Sequence, residues 1–288
     1  MLKWVELGES LSLPPLFLAY LQEATISFND DVWWFRLARD CWLTAGGREP
    51  DAELAGQAFL CGAYAANVID DISDETRDFD PPLLNGAVAL SHLVPILLTR
   101  LGDVINRSPA FAIQGYHEAV LQMTGGQHLG FAKDDVSLER AEQLILGQAA
   151  WFIWGCTLHA AYFEDSSPNL ADFGRTVGLA HQLYNDWEAL CDPSGPDART
   201  QKPSVPLAYA HHIVATEAPP ETEGFQQAWC EARTDPEAAK TVQCLTQKWG
   251  GAEYLRRLQT QILSEAEASS ALRAAPSLQE HLTLLKIP

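Results

Sequence analysis

Apolar residues recur at three- and four-residue intervals along almost the whole chain, in long segments separated by short runs of Pro, Gly, Asp and Ser. That period is the mark of amphipathic helices. It predicts helices over residues 14–26, 30–44, 51–76, 82–105, 109–131, 137–163, 168–191, 204–216, 221–232, 236–248, 251–271 and 277–285. Several predicted starts carry capping chemistry: Asn29 before Asp30 and Asp31, Pro50 before Asp51, Ser137 ahead of Arg140, and Ser167 before Pro168. No alternating strand pattern bounded by turn residues is present and β-branched residues are sparse, so the fold class is all-α. The segments 51–76, 109–131, 137–163 and 168–191 are each ~30 Å long or more at 1.5 Å per residue, which suits a bundle with a deep interior. The extended loops predicted are Cys191 to Lys202 and Ala218 to Thr222. No segment is long and polar enough to link domains, and no repeat of fixed period is visible. A single domain over residues 1–288 is expected.

Composition removes several classes of function. With 288 residues, 47% hydrophobic and 20% charged, the chain can bury a sizeable core and is not disordered. Its 19 Lys and Arg stand against 38 Asp and Glu, a formal charge of −19 that repels nucleic acid and anionic lipid. An acidic chain that handles an anionic substrate needs bound cations to do so. The N-terminus has only Lys3 ahead of Glu6 and Glu9 and does not read as a secretory signal. The apolar stretch Leu83 to Leu98 contains Asn85, Ser91, His92 and Pro95, too polar for a membrane span. The six cysteines, Cys41, Cys61, Cys156, Cys191, Cys230 and Cys244, include no C-x-x-C pair. Reduced thiols, mostly buried, and a cytoplasmic location are therefore expected.

Two acidic constellations stand out. The first runs from Asn67 through Asp70, Asp71, Asp74 and Glu75 to Asp78, near the end of the predicted helix 51–76. Helical spacing puts Asp70 and Asp74 on one face with Asn67 a turn earlier. Acids crowded at a helix C-terminus oppose folding, yet they continue the apolar run Leu60 to Ile69. A solvated helix end is one reading. The other is a set of hard oxygen ligands of the kind Mg²⁺ takes when it also holds phosphate oxygens. The second constellation, Gln182, Asn185, Asp186 and Glu188, lies near the end of the predicted helix 168–191. Beyond it, Lys202 in the segment Asp197 to Leu207 is placed to meet a phosphate.

In this order the residues resemble the trans-isoprenyl diphosphate synthases, or polyprenyl synthetases. Asp70-Asp71-Ile72-Ser73-Asp74 resembles their D-D-x-x-D motif, and Gly126-Gln127-His128-Leu129 their G-Q segment. Asp172 to Asp186 resembles the F-G-x-x-x-G-x-A-x-Q-x-x-D-D run, and Lys202 to Leu207 the K-x-x-x-P-L segment. The resemblance covers roughly residues 40 to 215. It implies a class I isoprenoid synthase bundle around a deep central cavity, with Mg²⁺, three ions in the family pattern, holding an allylic prenyl diphosphate. Asp70, Asp71 and Asp74 would be the catalytic acids, Asp70, Asp74, Asn185 and Asp186 the metal ligands, and Lys202, Arg77 and Gln182 the diphosphate contacts. Phe59, Gly62, Ala65, Ala66, Gln127, Trp151 and Tyr184 would line the prenyl pocket, with Phe152 and Trp154 beside them. Each aromatic also suits an ordinary core position. A homodimer is expected from the resemblance alone.

The departures are as informative. Where a chain-elongating synthase has the basic G-G-K-x-x-R-P, this chain has Gly46-Gly47-Arg48-Glu49-Pro50, with one basic residue. Its K-T-G segment reads Gly147-Gln148-Ala149, and the second acidic motif lacks its third aspartate at Ala189. The isopentenyl diphosphate half therefore looks dismantled, and the metal and allylic half survives better. That pattern implies a Mg²⁺-dependent prenyltransferase that uses an acceptor other than isopentenyl diphosphate, as do the isoprenyltransferases that modify a bacterial pheromone peptide. A terpene synthase that ionises one prenyl diphosphate, or a silent partner subunit of a prenyl synthase, is the alternative.

Overall fold

The computed structural model describes residues 11, 14–26, 32–73, 81–130, 136–163, 169–267, 272 and 275–288. Among them the secondary structure is helical throughout: α1 (Pro15–Ile26), α2 (Val32–Thr44), α3 (Glu49–Ser73), α4 (Pro81–Ile105), α5 (Ala110–Gly130), α6 (Leu138–Cys156), α7 (Leu158–Phe163), α8 (Leu170–Cys191), α9 (Pro196–Thr200), α10 (Val205–Glu217), α11 (Pro219–Glu231), α12 (Pro236–Lys248), α13 (Gly251–Glu267) and α14 (Ser277–Thr283). The all-α expectation holds, and most ends fall within one or two residues of the periodic pattern. Three differences stand out, the first being that the predicted loop Ala218 to Thr222 shrinks to Ala218, because Pro219 and Pro220 open α11 at positions where a helix start tolerates proline. The predicted helix 137–163 is interrupted at Thr157 and continues as α7. The predicted loop 191–202 contains the single-turn helix α9, set between Gly195 and Gln201, which both adopt left-handed backbone angles. Ser137 does cap α6, its Oγ accepting from the Arg140 amide at 3.4 Å. At α8 the cap is Asn169, whose side chain accepts from the Asp172 amide at 3.3 Å. The predicted caps Asn29 and Ser167 lie outside the described residues.

The chain divides into two compact units. The first comprises residues 1–116 and 155–168. In it α3 packs against both α2 and α4, α1 against α4, and α7 against α2. Trp42, Phe59, Leu90, Leu97, Leu98 and Leu101 are buried there. Two tyrosines tie elements together through polar tips set in apolar surroundings: Tyr116 Oη donates to the Ser91 carbonyl at 2.8 Å and Tyr162 Oη to that of Leu98 at 2.6 Å. α4 is long and apolar enough to cross a membrane by length and composition, with a mean hydropathy of 1.5. It nevertheless lays Ala87, Leu90, Val94, Leu97 and Leu101 in the core, the stripe of an amphipathic helix against α3.

The second unit comprises residues 117–154 and 169–288. α8 packs on α9, α10, α13 and α14, while α10, α11 and α12 pack on one another. One cluster joins Leu207, Val214, Phe225, Trp229 and Val242; another joins Leu144, Ile145, Leu183, Val205 and Leu255. α5 and α6 meet backbone to backbone. A Cβ placed on Gly147 would lie 2.7 Å from Gly126 Cα, and one on Gly126 would lie 3.0 Å from Gly147 Cα. Beside that crossing Gln148 Nε2 donates to Gln127 Oε1 at 2.8 Å.

Candidate functional site

In the first unit, α3 carries Phe59, Gly62, Ala66 and Asp70 at helical spacing. Phe59 is fully buried, its ring 5.9 Å from that of Trp34 and laid over Gly155, where a Cβ would come within 2.3 Å of it. Gly62 and Ala65 are buried, Ala66 half-buried, and Asp70 and Asp71 half-buried at the helix end. The acids thus continue a buried helix. Asp74 and Arg77 lie outside the described residues. Among the described residues, no group of three or more His, Cys, Asp and Glu side chains gathers to hold a metal ion. An ion held partly by water and substrate oxygens does not need such a cage.

In the second unit, the last two turns of α8 and the loop that follows make one polar cluster. α8 ends at Cys191, and the chain turns through Asp192, whose side chain accepts from the Ser194 amide at 2.8 Å. Gln243 of α12 holds this turn, donating to the carbonyls of Leu190 at 2.6 Å and Asp192 at 2.7 Å. After α9 the Lys202 amide donates to the Asp197 carbonyl at 2.8 Å. The chain then enters α10, where Ser204 offers no side-chain cap. Asp186 takes that place, its Oδ2 accepting from the Val205 amide at 2.8 Å. A buried helix start needs such an acceptor.

The electrostatics of Asp186 follow from these neighbours. Burial pushes its carboxyl up to about 7 and Asp197 adds to the rise, while the Val205 amide and Lys202 pull it back down. Two acids near one another and a lysine beside them form an environment that an added cation would relieve. The oxygen donors here, Asn185, Asp186 and Asp197, are the hard type that suits Mg²⁺. Asn185 is exposed and Gln182 and Tyr184 are half-buried. His181, a turn before Asn185, has its Nδ1 3.5 Å from Asn185 Nδ2 and its ring 5.1 Å from Phe152. Burial lowers its pKa to about 4, so it is neutral at physiological pH.

Of the residues expected to wall the prenyl pocket, this unit holds Phe152 as a buried side chain and Gln127 and Tyr184 as half-buried ones. Trp151 and Trp154 are buried with ring centroids 4.7 Å apart, and Gln127 is held by Gln148. Two residues to which the sequence assigned no role of their own also take part. Asp197, in the first turn of α9, lies near enough for its charge to raise the Asp186 carboxyl, and Gln148 stands where a phosphate-binding segment was expected.

No protein-family model matches the sequence, and no curated protein matches it at a significant level. Solved structures do. A polyprenyl synthase from Caulobacter crescentus, complexed with calcium and isoprenyl diphosphate, is 19% identical with a TM-score of 0.74, covering 98% of this chain and 94% of that one. A geranylgeranyl pyrophosphate synthetase from Geoglobus acetivorans is 15% identical, TM-score 0.75, over 98% and 95% of the two chains. A geranylgeranyl pyrophosphate synthase from Lactobacillus brevis is 16% identical, TM-score 0.70, over 94% and 97%. At these identities the likeness is one of fold, and the chain has the all-α fold of the prenyl diphosphate synthases.

Proposed function

We propose that the protein is a member of the polyprenyl synthetase family, a Mg²⁺-dependent prenyltransferase that ionises an allylic prenyl diphosphate and passes the prenyl group to an acceptor other than isopentenyl diphosphate. The observation that carries the acceptor part is the α5–α6 crossing. Gly147 stands at the lysine of the K-T-G segment, and its Cα lies against Gly126 with no room for any side chain. Restoring a lysine there requires the helices to part. With Arg48 alone in the basic G-G-K-x-x-R-P region, and that side chain paired to Asp51 at 2.9 Å, the second diphosphate lacks its expected partners.

The donor half is supported by the acids of α3 and α8. Asp70, Asp71 and Asp74, with Asn185 and Asp186, are the proposed acid and metal set. Lys202, with Gln182 and Arg77, is proposed to donate hydrogen bonds to the diphosphate oxygens, which are charge-assisted and among the stronger kind. Magnesium bound with the diphosphate supplies Lewis-acid neutralisation of the leaving group. The buried aromatics Trp151, Phe152 and Trp154 exclude water and offer π faces to a cationic prenyl group. The neutral imidazole of His181 adds no competing positive charge beside Asn185. A homodimer belongs to the same reading.

A closed second site suits equally an enzyme that consumes one diphosphate and no acceptor, a terpene synthase. Incubation with Mg²⁺ and geranyl, farnesyl or geranylgeranyl diphosphate, with and without isopentenyl diphosphate, separates the readings by diphosphate release. Release that isopentenyl diphosphate does not stimulate, and that EDTA abolishes, supports the proposal. Hydrocarbon or alcohol products without an acceptor move the assignment to a terpene synthase. Chain elongation with isopentenyl diphosphate overturns the acceptor reading, and no release under any condition overturns both, leaving the silent-subunit alternative.

A further inference from the structure

The segment 285–288 is stitched to α13 by two side chains that also touch α8. Gln259 is 3% exposed, and its amide is fully engaged. Nε2 donates to the Leu285 carbonyl at 2.7 Å and to the Ala180 carbonyl at 3.2 Å, and Oε1 accepts from the Ile287 amide at 2.8 Å. One turn earlier, Arg256 Nε donates to the Pro288 main-chain oxygen at 3.0 Å, while its guanidinium lies 4.2 Å over the ring of Trp187. Ile287 packs with Leu183, Trp187, Leu255 and Leu258 in one apolar cluster. The strap is therefore pinned at both ends, and each pin reaches α8, at Ala180 and at Trp187.

Those two positions are seven residues apart, ~10 Å along the helix and on the same face at 3.6 residues per turn. By the same spacing Asn185 stands ~140° round from Ala180 and Asp186 ~120° round on the other side. The strap and α13 thus grip α8 on the face opposite the pair that carries the proposed chemistry. A grip at two points two turns apart fixes both the rotation of a helix about its axis and its slide along it. Apart from this grip, the directional bonds on the last turns of α8 are those from Gln243 to the Leu190 and Asp192 carbonyls and from the Val205 amide to Asp186, all toward its C-terminal end, and the rest are apolar contacts without direction.

We infer that Gln259 and Arg256, acting through segment 285–288, are positioning residues that set the rotation of α8 and so the placement of Asn185 and Asp186. The inference rests on the function proposed above for what those two residues do, but not for the grip itself. A misplacement of about 1 Å at a reacting group is worth about 100-fold in rate, so a small rotation of α8 is enough.

The test uses Gln259→Leu and Arg256→Ala, the second an exposed residue whose loss leaves the core intact, and reads three quantities in the full chain. The first is amide hydrogen exchange over residues 181–188. The second is the Mg²⁺ concentration giving half-maximal diphosphate release, and the third is kcat against KM for the prenyl diphosphate. Phe225→Leu, in the α11–α12 cluster away from the strap, serves as a control matched for loss of Tm. Faster exchange at 181–188, a rise of about tenfold or more in half-activating Mg²⁺ and a fall in kcat larger than any rise in KM, all absent from the control, are expected. Unchanged exchange at 181–188 in both variants overturns the inference, as does an equal shift in the control. If the unaltered protein releases no diphosphate from any prenyl diphosphate, the functional reading fails on its own, and the exchange measurement still decides whether the strap holds α8.

Discussion

Replacing Gly147 by alanine puts a methyl group into the α5–α6 crossing, 2.7 Å from Gly126 Cα, 3.1 Å from the Gln122 carbonyl oxygen and 3.2 Å from the Gly126 amide nitrogen. Carbon atoms rest at about 3.5–4.0 Å, so the helices must part by roughly 1 Å. All three obstacles are backbone atoms, and no side chain can swing away to absorb the strain. Overpacking of this kind costs about 1–3 kcal/mol. The helix propensity of alanine returns about 1 kcal/mol. Parting the helices also stretches the Gln148 to Gln127 hydrogen bond, whose donor is 7% exposed, at a further ~1 kcal/mol. The net is a destabilisation of about 1–3 kcal/mol, or roughly 2–6 °C in Tm for a chain of this size. Gly125 is the internal control, since a Cβ there meets nothing within 4 Å. The same substitution one residue before the crossing should raise stability by about 0.5–1 kcal/mol. Thermal unfolding followed by circular dichroism, run side by side on both variants, reads the difference. If Gly147→Ala is as stable as Gly125→Ala, the helices do not touch there and the structural argument against a second diphosphate site falls with it.

Other outcomes are expected from the same geometry. The Asp186 carboxyl is raised in the folded state, so folding takes up a proton between the ordinary carboxylate range and about pH 7. The metal-free protein should therefore lose stability as pH rises from about 4 to 7 and level off above. Asp186→Asn, which keeps an acceptor for the Val205 amide, should flatten that part of a Tm-against-pH curve measured in EDTA; an unchanged slope would show that another group sets it. Lys202→Ala removes a charge-assisted donor, which should weaken prenyl diphosphate binding about 10- to 100-fold, read as KM, with little change in Tm. Ala66→Phe narrows the space along α3 below Asp70 and should shift preference to a shorter donor chain, as should Ala65→Phe; unchanged preference for both would remove Phe59, Ala65 and Ala66 from the prenyl pocket.

The sequence carried most of the helices because their apolar stripes are long and their punctuation is Pro, Gly and Asp. It did not carry α9, where five residues fold in a stretch whose composition reads as turn. Nor did it carry the break at Thr157, where apolar periodicity continues on both sides. The acidic clusters and Lys202 were visible as charges where a buried helix has no use for them. Asp197 was visible only as part of a loop, since its nearness to Asp186 depends on how α9 turns the chain back. Gln259 left no mark at all: it lies 79 residues from Ala180, and a lone glutamine on an amphipathic helix reads as a surface residue. Gly147 was legible as a missing lysine, but not as a contact, because only the crossing of two helices shows what a side chain there would meet.

The hydrogen bond from the Val205 amide to Asp186 also restricts how that carboxylate can coordinate. Oδ2 is committed to starting α10, at 2.8 Å, which leaves Oδ1 as the oxygen free to turn toward an ion. A carboxylate so tethered favours one-point over two-point ligation. Calcium accepts two-point carboxylates readily in its loose shell of six to eight oxygens, whereas magnesium asks for six single oxygens in a tight octahedron and keeps several waters among them. In the proposed site, the start of one helix would thereby bias the choice of cation at the end of another.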